Sequence, residues 1–181
     1  SWWYFARAIG VPVRLRAACL RDCRETPTVA RLREYLATEY PRGECLVLTG
    51  PTGVGKSWAA VAALRAASDT ETRTESRRFW YFPALCGALL NPETRSESLE
   101  QAKTTRFVVL DDFGVEYVKD GGLIEAFLDE IIWTREANIL PTIITTNLDA
   151  RALKTRLPAR LVDRLRGSWG HVFECPGESL R

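Results

Sequence analysis

Between positions 50 and 57 the chain reads Gly50-Pro51-Thr52-Gly53-Val54-Gly55-Lys56-Ser57, the spacing G-x-x-x-x-G-K-[ST], with the apolar run Leu46-Val47-Leu48 before it and an alanine-rich stretch after it. Glycines at these intervals let successive backbone N–H groups turn inward around a phosphate, and the partial positive charge of a helix N-terminus reinforces them. Lys56 would neutralise the β and γ oxygens, and the Ser57 hydroxyl would reach Mg²⁺. The residues from Gly50 to Trp58 are therefore read as the cradle of a nucleotide, with ATP and Mg²⁺ as its cofactors.

A second signal is Val108-Val109-Leu110-Asp111-Asp112, an apolar run that ends in two carboxylates. Adjacent residues at a strand tip point in different directions, so the pair can divide two tasks. Asp111 would hold Mg²⁺ and Asp112 would orient the attacking water. Asp112-Phe113-Gly114 also spells the protein-kinase triplet, but no H-R-D loop precedes it and the phosphate loop is of the other type, which excludes a kinase. Further on, Thr145-Thr146-Asn147 closes another apolar run and places an amide where it could bond a γ-phosphate or its water. Arg160, Arg164 and Arg166 crowd a segment whose single acid is Asp163, a candidate source of an arginine finger.

These groups need strands to end near one another and helices to begin there. The hydrophobic spacing predicts a helix from Thr28, its cap, to about Tyr40, a strand over Glu44–Thr49 and a helix over Lys56–Ala67. A solvated loop is expected over Ser68–Arg78, a strand over Phe79–Phe82, a helix over Ala84–Leu90, and an irregular polar piece around Asn91-Pro92. A strand over Phe107–Asp111, an amphipathic helix over Gly121–Ala137, a strand over Ile139–Thr146, a basic helical region over Arg151–Arg166 and a strand over His171–Glu174 complete the reading. Strands alternating with helices imply an α/β fold, a five-stranded parallel sheet sandwiched between helices. Residues 1–43 read as an entry segment and helix packed on a core formed by 44–181.

The phosphate loop, V-V-L-D-D-F-G, T-T-N and Leu161-Val162-Asp163-Arg164-Leu165, in that order, resemble a P-loop NTPase of AAA+ type, the ATPase domain of the DnaC/DnaI helicase-loader and IstB group. Gly10-Val11-Pro12-Val13-Arg14 is similar to that group's G-I-P-x-R entry segment, and Gly177-Glu178-Ser179-Leu180-Arg181 to its terminal motif. The resemblance implies that Asn147 is sensor 1, that Arg164 reaches the ATP of a neighbouring subunit and drives self-association, and that Arg181 is a sensor-2-like contact. It implies single-stranded DNA in the channel of an oligomer, for which Tyr117 and Lys119 suit base stacking and phosphate contact. The implied client is a replicative DNA helicase or, as the alternative, a transposase served by an IstB-like helper ATPase. The family's partner-gripping amino-terminal region finds no counterpart in these residues. Asp112 stands where many AAA+ proteins carry Glu, which implies slow turnover.

Composition narrows the field further. With 181 residues, 46% hydrophobic and 27% charged, the chain reads as one globular domain. The formal net charge of +2 gives little averaged pull toward nucleic acid or membrane, so DNA contact must be local. No apolar stretch approaches the roughly 20 residues that span a bilayer, and no charged-then-apolar leader opens the chain, so a cytoplasmic location is expected. The absence of methionine, position 1 included, suggests a piece of a longer chain. Five scattered cysteines read as reduced thiols. A zinc set of Cys19, Cys23, His171 and Cys175 lacks the usual short C-x₂-C spacing. A small-metabolite phosphotransferase is disfavoured by the paired acids, Asn147 and the Asp163-Arg164 pair. The Trp2–Phe5 run is expected to pack against the body rather than to serve as a base platform.

Overall fold

The computed structural model describes residues 2–21, 23–70, 76–114 and 122–177. Two strands explain the centre of the molecule. β1 (Cys45–Thr49) and β3 (Phe107–Asp111) are buried at every residue, as strands covered on both faces must be. Alternate side chains go to opposite layers. Leu46, Leu48 and Val109 join one apolar cluster, and Cys45, Val47, Val108 and Leu110 join the other.

The first layer holds α1 (Trp2–Ala8), α2 (Pro27–Thr38) and α3 (Lys56–Thr70), whose small alanines let the helix lie close to the sheet. The second holds α4 (Phe82–Leu90), α6 (Leu123–Ala137), α7 (Ala150–Arg156) and α8 (Ala159–Arg166). Between α4 and α6 in the chain lies α5 (Pro92–Thr104). With β2 (Arg77–Tyr81), β4 (Thr142–Thr145) and β5 (Gly170–Glu174), the sheet runs in the order β2-β3-β4-β1-β5, and every pairing is parallel. The expected five-stranded parallel sheet between helices is therefore present. β4 lies between the phosphate-loop strand and the carboxylate strand, so their three C-terminal ends adjoin.

Several local expectations change. The cap of α2 is Thr26 rather than Thr28: its hydroxyl accepts from the Val29 N–H (3.2 Å), and Pro27, lacking an N–H, takes the first helical position. The polar piece after Asn91 is the helix α5, capped by the Asn91 side chain accepting from the Glu93 N–H (3.0 Å). Its apolar signal was weak because Ser98 and Ala102 are its buried positions. The loop expected over Ser68–Arg78 is shorter at both ends, since α3 continues to Thr70 and β2 starts at Arg77; residues 71–75 lie outside the described residues. The basic region is two helices, because Leu157-Pro158 interrupts it. β4 starts at Thr142, after Pro141, with Ile139 in the left-handed region at φ 53°. In α1, Trp2 and Phe5 pack on the core as expected, whereas Trp3 and Tyr4 face solvent. Among the described residues no helix is long and apolar enough to cross a membrane.

Candidate nucleotide site

The turn from β1 into α3 is made by residues that only a special backbone allows. Gly50 sits at φ 133°, and a Cβ there would stand 2.9 Å from the Cys175 carbonyl just past β5. Gly53 and Gly55 also lie at positive φ, which bends the loop back over the end of β1. Lys56, in the first turn of α3, is buried, and its ammonium donates to the carbonyls of Gly50 (2.6 Å) and Pro51 (2.8 Å) and to Asn147 Oδ1 (3.0 Å). Burial pulls its pKa below the ordinary lysine value, against the nearby Cys175, Asp112 and Asp111.

From Lys56 the bonding continues across β4 to β3. Asn147 Nδ2 donates to Asp112 Oδ1 (2.9 Å), so one amide joins the lysine and the second acid. The Thr145 hydroxyl donates to Asp111 Oδ1 (2.7 Å) and accepts from the Asp112 N–H (3.0 Å). Asp112 itself adopts φ 62°, a left-handed conformation that aspartate tolerates better than most residues and that recurs at functional turns. Burial lifts the Asp111 carboxyl above the usual carboxylate range, while hydrogen bonds from Ser57 and Thr145 hold it down in part.

These groups line a cleft of about 450 Å³ together with Arg14, Leu15, Thr52, Gly53, Gly55, Trp58 and Tyr81. A second cavity of about 770 Å³ adjoins it across Gly53, Gly55 and Trp58, walled by residues from Cys23 to Val29, Val54, Pro176 and Gly177. The first is polar and acid-and-base lined, suited to phosphates and a cation. The second offers Val29, Val54, Trp58 and Ala59 to something flatter and less charged.

The structure thus brings Lys56, Ser57, Asp111, Asp112 and Asn147 into one site. Gly50 and Pro51 enter through their carbonyls, and Val54 faces the second cavity. Arg164 is not in the cleft: its guanidinium is paired with the Glu136 carboxylate of α6, and Arg160 pairs with Asp129 (3.2 Å). Tyr117, Lys119 and Arg181 lie outside the described residues. The zinc set is not assembled. His171 and Cys175 are four residues apart along an extended segment, about 13 Å, and His171 Nε2 lies 2.8 Å from Glu44 Oε2. Thr145, Tyr81 and Arg14 join the site beyond the residues to which the sequence points. Thr145 carried a signal, a β-branched hydroxyl two residues before Asn147, but Arg14 and Tyr81 reach the cleft only through tertiary packing.

No family model matches the sequence. The replicative helicase loader DnaI of Bacillus subtilis (strain 168) is 31% identical over 130 residues, 68% of this chain and 39% of that protein. The chain therefore spans well under half the length of this curated relative. The crystal structure of the DnaC helicase loader superposes with a TM-score of 0.77 at 23% identity, covering 91% of this chain and 100% of the other. The replication initiator DnaA, bound to AMPPCP and single-stranded DNA, gives 0.73 at 18% identity, covering 89% of this chain and 50% of that one. At such identities the structural likenesses establish the fold.

Proposed function

Proceeding from a DnaC/DnaI-like AAA+ P-loop domain, we propose that the chain binds Mg-ATP in this cleft, hydrolyses it, and works in an oligomer on single-stranded DNA in the service of a replicative helicase. The observation that carries the nucleotide part is the continuous hydrogen-bonded line Lys56–Asn147–Asp112, beside Asp111–Thr145, laid across the ends of three adjacent strands. A structural turn needs no such line.

The donor set fits magnesium: the Ser57 hydroxyl and the Asp111 carboxylate are hard oxygen ligands, already hydrogen-bonded to one another. A bound Mg²⁺ would neutralise charge on the β and γ oxygens. The chain's own residues would do the rest. The loop N–H groups cradle the phosphates, Lys56 exchanges its loop carbonyls for phosphate oxygens, and Asn147 and Asp112 hold the attacking water in line. The larger adjoining cavity takes the nucleoside.

The oligomer, the DNA and the client rest on likeness to DnaI and DnaC and to a DnaA bound to single-stranded DNA. Tyr117 and Lys119 are assigned to the DNA. Arg164 is assigned to a neighbour's γ-phosphate, which requires it to leave Glu136. Phosphate release tests this. Arg164→Ala should bind ATP normally and lose turnover by roughly 10³-fold, and mixing it with Lys56→Ala should restore part of the rate, since one chain offers an intact site and the other an intact arginine. A mixture that stays dead, with a wild-type rate independent of protein concentration, would remove Arg164 from the reaction.

A further inference from the structure

We propose that Arg14 is a second phosphate-binding cation of the cleft, reaching the terminal phosphate of a nucleoside triphosphate bound by its own chain. The proposal rests on the nucleotide reading above and adds to it the residue that tells a triphosphate from a diphosphate.

Arg14 lies in a single 3₁₀ turn, Val13–Leu15, that packs on α3, the helix opened by the phosphate loop. The backbone around it is tied down from both sides. The Val11 N–H donates to the Ala6 carbonyl (2.9 Å), the Leu15 N–H to Pro12 (2.9 Å) and the Ala18 N–H to Leu15 (3.0 Å). Arg16 Nε donates to the Val11 carbonyl (3.0 Å), while the Arg16 carbonyl accepts from the Trp2 indole (2.7 Å). The segment is also docked on β2, because the Phe79 N–H donates to the Ile9 carbonyl (2.8 Å). Gly10, at φ 90°, lets the two backbones meet: a Cβ there would stand 2.6 Å from the Phe79 carbonyl.

The side chain is a different matter. Arg14 is exposed, lines the same cleft as Lys56, Ser57, Asp111, Asp112 and Asn147, and makes no hydrogen bond or ion pair among the described residues. Its neighbour Arg16 is bonded to backbone, and Lys56 is bonded to two loop carbonyls and an amide. A guanidinium on a fixed turn, facing a polar cleft with its donors uncommitted, matches the fork geometry of phosphate oxygens.

Charge balance points the same way. The charged side chains lining the cleft are Arg14 and Lys56 against Asp111 and Asp112, two of each sign. The α and β groups of a diphosphate fall to the loop N–H groups and Lys56. A triphosphate adds a γ group beyond them, toward the acids, where Lys56 faces two carboxylates and the guanidinium of Arg14 supplies the second cation.

Calorimetric titration of the intact chain with AMPPCP and with ADP, each with Mg²⁺ and each with a chelator, tests the assignment. Arg14→Ala should weaken AMPPCP roughly tenfold or more, the loss of a charge-assisted contact, and change ADP affinity by no more than about twofold, with or without Mg²⁺. The melting temperature of the free variant should match wild type. Equal weakening of both nucleotides, or no weakening of either, overturns the proposal while leaving the nucleotide site in place. A loss confined to the Mg²⁺ arm also overturns it, because Arg14 would then act through Asp111 and the metal. Failure of the wild-type chain to bind either nucleotide would instead bring down the nucleotide reading itself.

Discussion

Strand β4 has a charged group at each end, and the two are treated in opposite ways. At its start, Arg135 of α6 is wholly buried, with its guanidinium donating to the Thr142 hydroxyl (2.8 Å) and to the carbonyls of Ala102 (3.0 Å), Thr105 (2.8 Å), Arg106 (3.2 Å) and Pro141 (2.9 Å). These acceptors come from the end of α5, the approach to β3 and the approach to β4, so one side chain closes three segments. Burial pushes its pKa down to about 9, still above neutrality, and it carries its charge. At the other end of β4, Lys56 and Asp111 are also buried, yet both line an open cleft, as do the Asn147 and Thr145 side chains bonded to them, while Lys56 is held from behind by the Gly50 and Pro51 carbonyls. Burial opposes the charge of both. A polar network whose acceptors are all internal stabilises the fold, whereas one left open to a cleft is held ready for a ligand at some cost to the free protein.

Breaking the closed end should have the largest effect. Arg135→Leu strands buried carbonyls and a hydroxyl without donors, and should cost about 3 to 5 kcal/mol, lowering Tm by roughly 10 °C or more or preventing soluble expression. A thermal melt of that variant within a degree or two of wild type would refute the contrast. Arg135→Lys should recover only a fraction, since an ammonium cannot reach every acceptor.

The open end should respond with the opposite sign. Because burial raises the Asp111 pKa, the ionised form is disfavoured by folding, and its cost to stability is present above the folded value and disappears as pH falls below the ordinary aspartate value. Asp111→Asn should therefore leave the ligand-free Tm at neutral pH unchanged or a few degrees higher, and the difference should close in acid. A marked fall in Tm at neutral pH would mean that Asp111 holds the fold together as Arg135 does.

Much of this was legible because it is local. The phosphate loop is a contiguous motif, Asp111-Asp112 sit at the abrupt end of an apolar run, and Asn147 follows another. Arg135 was not read, although it lies four residues beyond Ile131 and three beyond Ile132, on the buried stripe of α6. Its partners are carbonyls, which every residue possesses, so no residue type announces them. For the same reason Arg14 entered only as part of an entry motif, since its position on the cleft depends on packing against α3 and β2. Helix α5 escaped because a helix with so little apolar surface has little periodicity to read.

The smallest effect belongs to a surface pair near the closed end. Arg42, through its hydrogen bond, and secondarily His171 hold the Glu44 carboxyl below the usual glutamate range. A depressed carboxylate contributes stability above its unfolded pKa and loses it as pH falls through the folded value. Glu44→Gln should lower Tm by no more than about 2 °C at neutral pH, and the gap should vanish in acid, where both forms are uncharged. A gap that widens in acid would reverse the assignment.

Whether the open end of β4 is a triphosphate site or a structural knot is read directly by a ligand-dependent melt of wild type and Lys56→Ala. Wild type should gain Tm steadily with Mg-AMPPCP, as a ligand that binds only the folded state requires, while Lys56→Ala should melt near wild type without ligand and gain little with it. A wild-type Tm that ignores the nucleotide, or a Lys56→Ala chain that gains as much as wild type, would contradict the account.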